Sequence, residues 1–177
     1  GDCVLQPPKI RHRVLESSGG LYVVEVGCPA EHETRRDPDM QLPTSILDPE
    51  RDFDGQRFCY HAAGSAVWGP WRHDGFEARD TGIGAATAGL AGVRVVRIND
   101  GTKPCVRCTP RGHHSGELLF GVLLRGKMSL ETLDRKERLD SLEAFTIPAG
   151  MDFALSDFED VEWLEVSLGE HVDFIAS

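Results

Sequence analysis

Apolar and polar residues alternate along this chain in short runs separated by turn formers. Within residues 1–28 the runs Cys3-Val4-Leu5, His12-Arg13-Val14-Leu15 and Leu21-Tyr22-Val23-Val24-Glu25-Val26 are parted by Pro7-Pro8 and Gly19-Gly20. This pattern predicts three strands and two turns. From about Ala30 to Pro70 the sequence keeps no sustained period, which predicts a linker or wrapping arm over 31–70. Order resumes at Trp71, with strand-like runs at Val93–Ile98, Leu118–Leu124, Lys127–Leu133, Ala144–Ile147, Phe153–Leu155 and Val161–Val166. Gly84–Leu90 is the one stretch that predicts a helical turn. Many short strands at close spacing define an all-β chain, an antiparallel sandwich or small barrel.

The two ends of the chain repeat one another. Residues 1–12 align with 142–153 so that Pro7 falls on Pro148, and after one residue is dropped Leu21–Val26 falls on Val161–Val166, sharing a Glu-Val ending. A spacing of about 140 residues is the size of a domain. The expectation is that residues 1–30 are the closing strands of a preceding barrel, that 31–70 connect, and that 71–177 form a whole second barrel.

Charge narrows the partners. Across 177 residues, 19 Lys and Arg stand against 29 Asp and Glu, a net charge of −10, and no basic cluster is long enough to follow a phosphate backbone, so nucleic acid is not the expected partner. No apolar stretch approaches the ~20 residues that cross a bilayer, so no membrane partner is expected either. The chain starts at Gly1, without an initiator Met, and reads as a processed or trimmed piece. Five widely spread cysteines, an odd number, fit a reducing cytoplasm. Cys105 and Cys108, followed by His113 and His114, invite a zinc reading, but the second close pair of a structural zinc site is missing, and strand cysteines packed as small apolar residues are the alternative. Gly82-Ile83-Gly84-Ala85-Ala86-Thr87 has neither the glycine spacing nor the lysine of a phosphate loop, and no nucleophile elbow is present.

Gly1-x₅-Pro7-x₄-His12 resembles the second motif of the cupin superfamily, with Lys9 where that motif carries Gly. Pro148-Ala149-Gly150 keeps the motif's turn, and Gly112-His113-His114-Ser115-Gly116-Glu117, leading to Arg125-Gly126, resembles the first motif. The resemblance covers the opening ~30 residues and 71–177. It implies a small antiparallel barrel of jelly-roll type with extra N-terminal strands, whose usual centre is two His, a Glu and a later His around Fe, Mn, Zn, Ni or Cu.

Anchored on Gly126 and Pro148, those four positions fall on Gly112, His114, Leu119 and Phe153, so one ligand of four survives. Sliding by one residue recruits His113, and Glu117 shares a strand face with Leu119, giving a distorted His113, His114 and Glu117 set. Adjacent His113 and His114 would nevertheless point to opposite faces of a regular strand. His12 corresponds to the metal His of the preceding barrel, a vestigial position. No cofactor is therefore expected, a divalent metal being the alternative.

Leu119, Phe120 and Phe153 are candidate ligand-contacting residues, and Arg125 a candidate carboxylate anchor, as Arg94, Arg97 or Arg107 would be if turned inward. Arg94 and Arg97 have opposite parity and cannot share a face. Trp68, Trp71, Phe120, Phe153 and Trp163 either line an apolar pocket or fill the core. His73-Asp74 and the Glu77, Arg79, Asp80 group read as exposed ion pairs. Three functions remain open: a barrel with a decayed metal centre that binds a small molecule, such as a carboxylic acid or a sugar; a metal-dependent dioxygenase or isomerase; and a structural second barrel supporting a catalytic first one. The orphan apolar strands near the N-terminus predict a homodimer.

Overall fold

The structure is a computed structural model that describes residues 1–99, 108–169 and 172–177. In chain order its elements are β1 (Cys3–Leu5), β2 (Asp52–Phe53), β3 (Gln56–Arg57), β4 (Cys59–His61), a 3₁₀ turn (Ala63–Ser65), β5 (Gly69–Pro70), β6 (Phe76–Asp80), α1 (Ile83–Ala86), β7 (Ala91–Ile98), β8 (Gly112–His114), β9 (Leu118–Glu131), β10 (Lys136–Asp140), β11 (Ala144–Pro148), β12 (Ala154–Leu168) and β13 (Phe174–Ala176). One antiparallel sheet runs β10-β9-β12-β7-β6-β5, with β11 also paired to β9. Separate pairs join β13 to β8 and β1 to β4. The all-β architecture expected from the alternation is observed, as is the jelly-roll barrel that the resemblance implies.

The two longest strands curl the sheet. β9 pairs with β11 through Leu118–Val122 and with β10 through Lys127–Glu131. The change of partner falls at Gly126, where φ is +81° and a Cβ would collide with the Glu159 and Asp160 carbonyl oxygens. Only glycine meets both demands at this bend. β12 follows β9 through register shifts between Ser156 and Trp163, with Asp157 and Asp160 at positive φ. Such bulges bend a strand and increase its twist, which lets one long strand serve both halves of the barrel. The runs expected as separate pieces, 118–124 with 127–133 and 153–155 with 161–166, are thus single bent strands.

The core lies inside this curl. Phe76, Val96, Leu123, Met128, Ile147, Phe153, Leu155 and Trp163 are each no more than 3% exposed. Each buried apolar side chain of this size contributes about 2 kcal/mol by leaving water. No helix is long and apolar enough to cross a membrane among the described residues.

The N-terminal reading needs correction. Cys3–Leu5 is a strand, but His12–Leu15 and Leu21–Val26 carry no ladder hydrogen bonds, and Val14, Leu15, Tyr22 and Val23 are 73–81% exposed. Apolar alternation supplies one face of a strand, not the neighbouring edge that makes it one. The stretch expected as a linker likewise carries β2 to β5 in its second half, where β4 receives β1. Two of the strands missed elsewhere have simple reasons: β10 is a charged edge strand, Lys136-Glu137-Arg138-Leu139-Asp140, and β13, three residues long, is too short to show a period.

Candidate functional site: the mouth of the barrel

Strand parity builds the site. Ala78, Val96, Trp163 and Leu123 lie side by side across β6, β7, β12 and β9, and two residues along, Asp80, Arg94, Glu165 and Gly121 form the next row. Residues two apart share a face, so the apolar floor made by Trp163 gives way to a polar row on the same inner surface. Above it opens a cleft of about 620 Å³. Its wall includes Trp71, Arg72, Leu119, His114, Ser167 and Phe174, together with Asp80, Arg94, Glu165 and Asp173.

The floor is a set of aromatic rings meeting edge to face. Trp71 packs against Trp163 at 5.3 Å and Phe76 at 5.5 Å between ring centroids, and Phe153 against Phe174 at 5.7 Å. These geometries match the aromatic quadrupole, positive edges against negative faces.

One ion pair dominates the wall. Arg72 donates two parallel hydrogen bonds to the Glu165 carboxylate, at 2.6 and 2.7 Å, with the Glu165 side chain 6% exposed. The guanidinium also lies 4.0 Å over the Trp71 ring. Arg94, exposed at the rim, is joined to Asp80 at 3.5 Å. A fork-to-fork pair of this kind fixes orientation as well as charge.

His73 is buried between Trp71 and Phe174, each ring 4.9 Å away. Burial, assisted by the adjacent Arg72 cation and opposed by Glu165 and Asp74, lowers its pKa from 6.5 to about 4. A group whose folded pKa lies below its unfolded value binds fewer protons when folded, so the folded state loses stability as pH falls from about 6.5 to about 4. The loss is no more than about 3 kcal/mol. Urea unfolding between pH 7 and pH 4 is expected to show this decline, and His73→Phe, which keeps the ring stack, to flatten it; an unchanged slope in the variant would place the titration elsewhere.

The residues carried over from the metal motif do not form a metal centre. His114 on β8 is 2% exposed, and its Nε2 lies 2.7 Å from the Ile147 carbonyl oxygen. A carbonyl only accepts, so Nε2 carries the proton and donates, leaving a lone pair on Nδ1, which is buried and has no partner. His113, next along the strand, turns the other way and meets Asp152 at 3.0 Å. That carboxyl also accepts from Ser177 Oγ at 2.6 Å, and these two hydrogen bonds, Ser177's first, hold it below the usual carboxylate range. Glu117 is exposed at the surface. The opposite orientation follows from strand parity, and it separates the three members of the distorted set.

Aromatic rings take the space that the ligands would need. Phe153, at the later His position, is 2% exposed and packs on Phe174. Gly112, at the first His position, bridges to Phe153, and a Cβ there would meet Phe174 Cε1 at 2.7 Å. Leu119, at the Glu position, is buried in the cleft wall. Among the described residues no group of three His, Cys, Asp or Glu could hold a metal ion. The residues present therefore do not fit the metal that this kind of barrel usually carries. Cys105 lies outside the described residues, and Cys108 is an exposed free thiol.

The remaining candidates are dispersed. Arg125 is exposed and paired with Asp160 at 3.2 Å, so it anchors nothing inside the barrel. Phe120 is half-buried beside the core strand, and His12 is exposed in the N-terminal stretch. Arg97 faces outward, hydrogen-bonded to Glu77 at 2.6 Å and 3.9 Å over the Trp68 ring. Arg79 was expected in an exposed pair but is 3% exposed, donating to the Gly1 carbonyl at 2.8 Å beneath the β1–β4 ribbon. Sequence reasoning missed Arg72 and Glu165. Glu165 shares parity with Val161 and Trp163, so a carboxylate at an inward position was the available signal; Arg72 left none.

No family model matches the sequence, and no curated protein does. Solved structures do. The polyketide cyclase RemF from Streptomyces resistomycificus superposes with a TM-score of 0.52 at 17% identity, covering 66% of this chain and 84% of that one. KdgF from a Halomonas species gives 0.51 at 15% identity, over 63% and 94%. A protein described as a putative ethanolamine utilization protein Q, from Salmonella typhimurium, gives 0.51 at 12%, over 67% and 90%. These likenesses show the fold, a jelly-roll barrel of the cupin type. Barrels of this kind carry unrelated chemistries, so function is argued from the cleft.

Proposed function

We propose that this barrel binds a small molecule in the cleft at its mouth, and that binding there needs no metal. The observation that carries this reading is His114, a buried imidazole with an unpartnered Nδ1 in the wall of a cleft of about 620 Å³ that Trp71 and Phe174 also line. A buried polar atom without a partner costs about 1–3 kcal/mol, and a bound ligand that donates to it removes that cost. An apolar floor with a few oriented polar groups is the usual composition of a small-molecule site.

A thermal-shift screen of small polar compounds, with chelator present throughout, tests the reading. A ligand at one hundred times its Kd adds about 2.7 kcal/mol to stability, which for a chain of this length raises Tm by roughly 5–10 °C. Hits are expected, and their affinity is expected to change in Arg94→Ala and Ser167→Ala, which alter only the rim. Hits indifferent to both changes would place binding elsewhere.

The same reading sets the protein in the cytoplasm, as a pair of copies. The exposed apolar side chains of Val14, Leu15, Leu21, Tyr22 and Val23 support self-association, because a stretch of this kind gains by leaving water. Light scattering is expected to give twice the 19.5 kDa chain mass, and a monomer at micromolar concentration would contradict the pairing.

A further inference from the structure

Every cation in the cleft wall is already matched. Arg72 is held by both oxygens of Glu165, and Arg94 faces Asp80. Asp173, exposed where the chain enters β13, makes no ion pair or side-chain hydrogen bond through its carboxylate among the described residues. Among the described residues the lining thus holds three carboxylates against two guanidinium groups, within a chain of net charge −10. The second opening comes from His114, nine-tenths buried and more, whose Nδ1 offers a lone pair and no proton. These two groups are acceptors, and the Trp71 indole N–H, also buried and without a partner, is the unmatched donor of the described lining, open to a ligand hydroxyl.

We propose that the cleft selects a small molecule carrying a protonated amine, with the ammonium at Asp173 and a hydroxyl or N–H donor at His114, and that it discriminates against carboxylates. The proposal rests on the reading of the cleft as a ligand site and adds the chemical class of the ligand. An anion entering the cleft would find no unpaired cation and would have to break the Arg72–Glu165 or Arg94–Asp80 pair to gain one. An ammonium gains the Asp173 charge directly, without breaking either pair. The acidic field of the whole chain acts in the same direction, repelling anions and concentrating cations at low salt.

Three probes of one size and ring frame isolate the charge: glucosamine, glucose and glucuronate. Titrated into the full-length chain, with binding followed by the indole N–H resonance of Trp71 (assigned with Trp71→Phe), glucosamine is expected to bind about fivefold more tightly than glucose, the scale of one exposed ion pair. Glucuronate is expected to bind most weakly. Asp173→Asn is expected to bring glucosamine and glucose to within about twofold, a change in the ratio of the two affinities that a merely structural role for Asp173 would not produce. Tightest binding by glucuronate, or an amine preference that survives Asp173→Asn, would overturn the proposal while leaving the cleft as a binding site. No movement of the Trp71 resonance with any probe would overturn the proposal together with the reading beneath it.

Discussion

Arg72→Met is expected to destabilise the fold by about 3 kcal/mol, because it strands the Glu165 carboxylate, 6% exposed, without its counter-charge. The pair is costly to desolvate and costlier to break, since the loss of one partner leaves the other charge buried and unmatched. The double variant Arg72→Met with Glu165→Leu is accordingly expected to recover most of the loss, to within about 1 kcal/mol of the parent. Urea unfolding of the parent, both single variants and the double variant forms the cycle that separates coupling from packing. Because Arg72 also lies over Trp71, a residual loss in the double variant measures that stacking. A single-variant loss under 1 kcal/mol would mean that Glu165 reaches water, and that the cleft wall is looser than described.

Phe153→His, which restores the imidazole of the metal motif, is expected to cost about 3 kcal/mol and to create no metal site. The ring it removes is 2% exposed and packed on Phe174, and the imidazole would be buried among aromatic rings without a partner. His114 would remain turned, its Nε2 on the Ile147 carbonyl, and Gly112 could not become a ligand without displacing Phe174. Thermal unfolding with and without added Zn²⁺, Mn²⁺ or Fe²⁺ checks both parts. Stabilisation of the variant by one of these ions, at one ion per chain, would show that the metal centre is only one residue from function.

Much of the barrel was legible in the order of residues, and the reasons it was legible also mark the limits. β11 stands out because one face is buried against the core, so its alternation is strict, while β7 and the halves of β9 and β12 stand out as apolar runs that bury consecutive residues. The same parity placed Arg94 and Arg97 on opposite faces, as observed, whereas Gly126 read only as a motif anchor, and the bend it allows joins two runs expected as separate strands. His12–Leu15 and Leu21–Val26 have the pattern without a neighbouring edge, and pattern alone does not pair a strand. Charged β10 shows the converse, an edge strand whose partner supplies the order. At the site, the motif led to His114 but not to what its nitrogens do, because the Ile147 carbonyl that orients the ring lies on another strand. Arg72 and Glu165 are 93 positions apart, and their pairing is a product of the closed barrel.

The claim at the centre of this account is that the mouth of the barrel is a ligand cleft and not a metal centre. The most direct test follows one screened compound by calorimetric titration into two preparations, one stripped with chelator and one incubated with Fe, Mn, Zn, Ni and Cu, with elemental metal content measured on each. The account predicts the same Kd in both preparations and well under one metal per chain. One metal per chain, with ligand binding that disappears on stripping and with metal lost in His114→Ala, would contradict it.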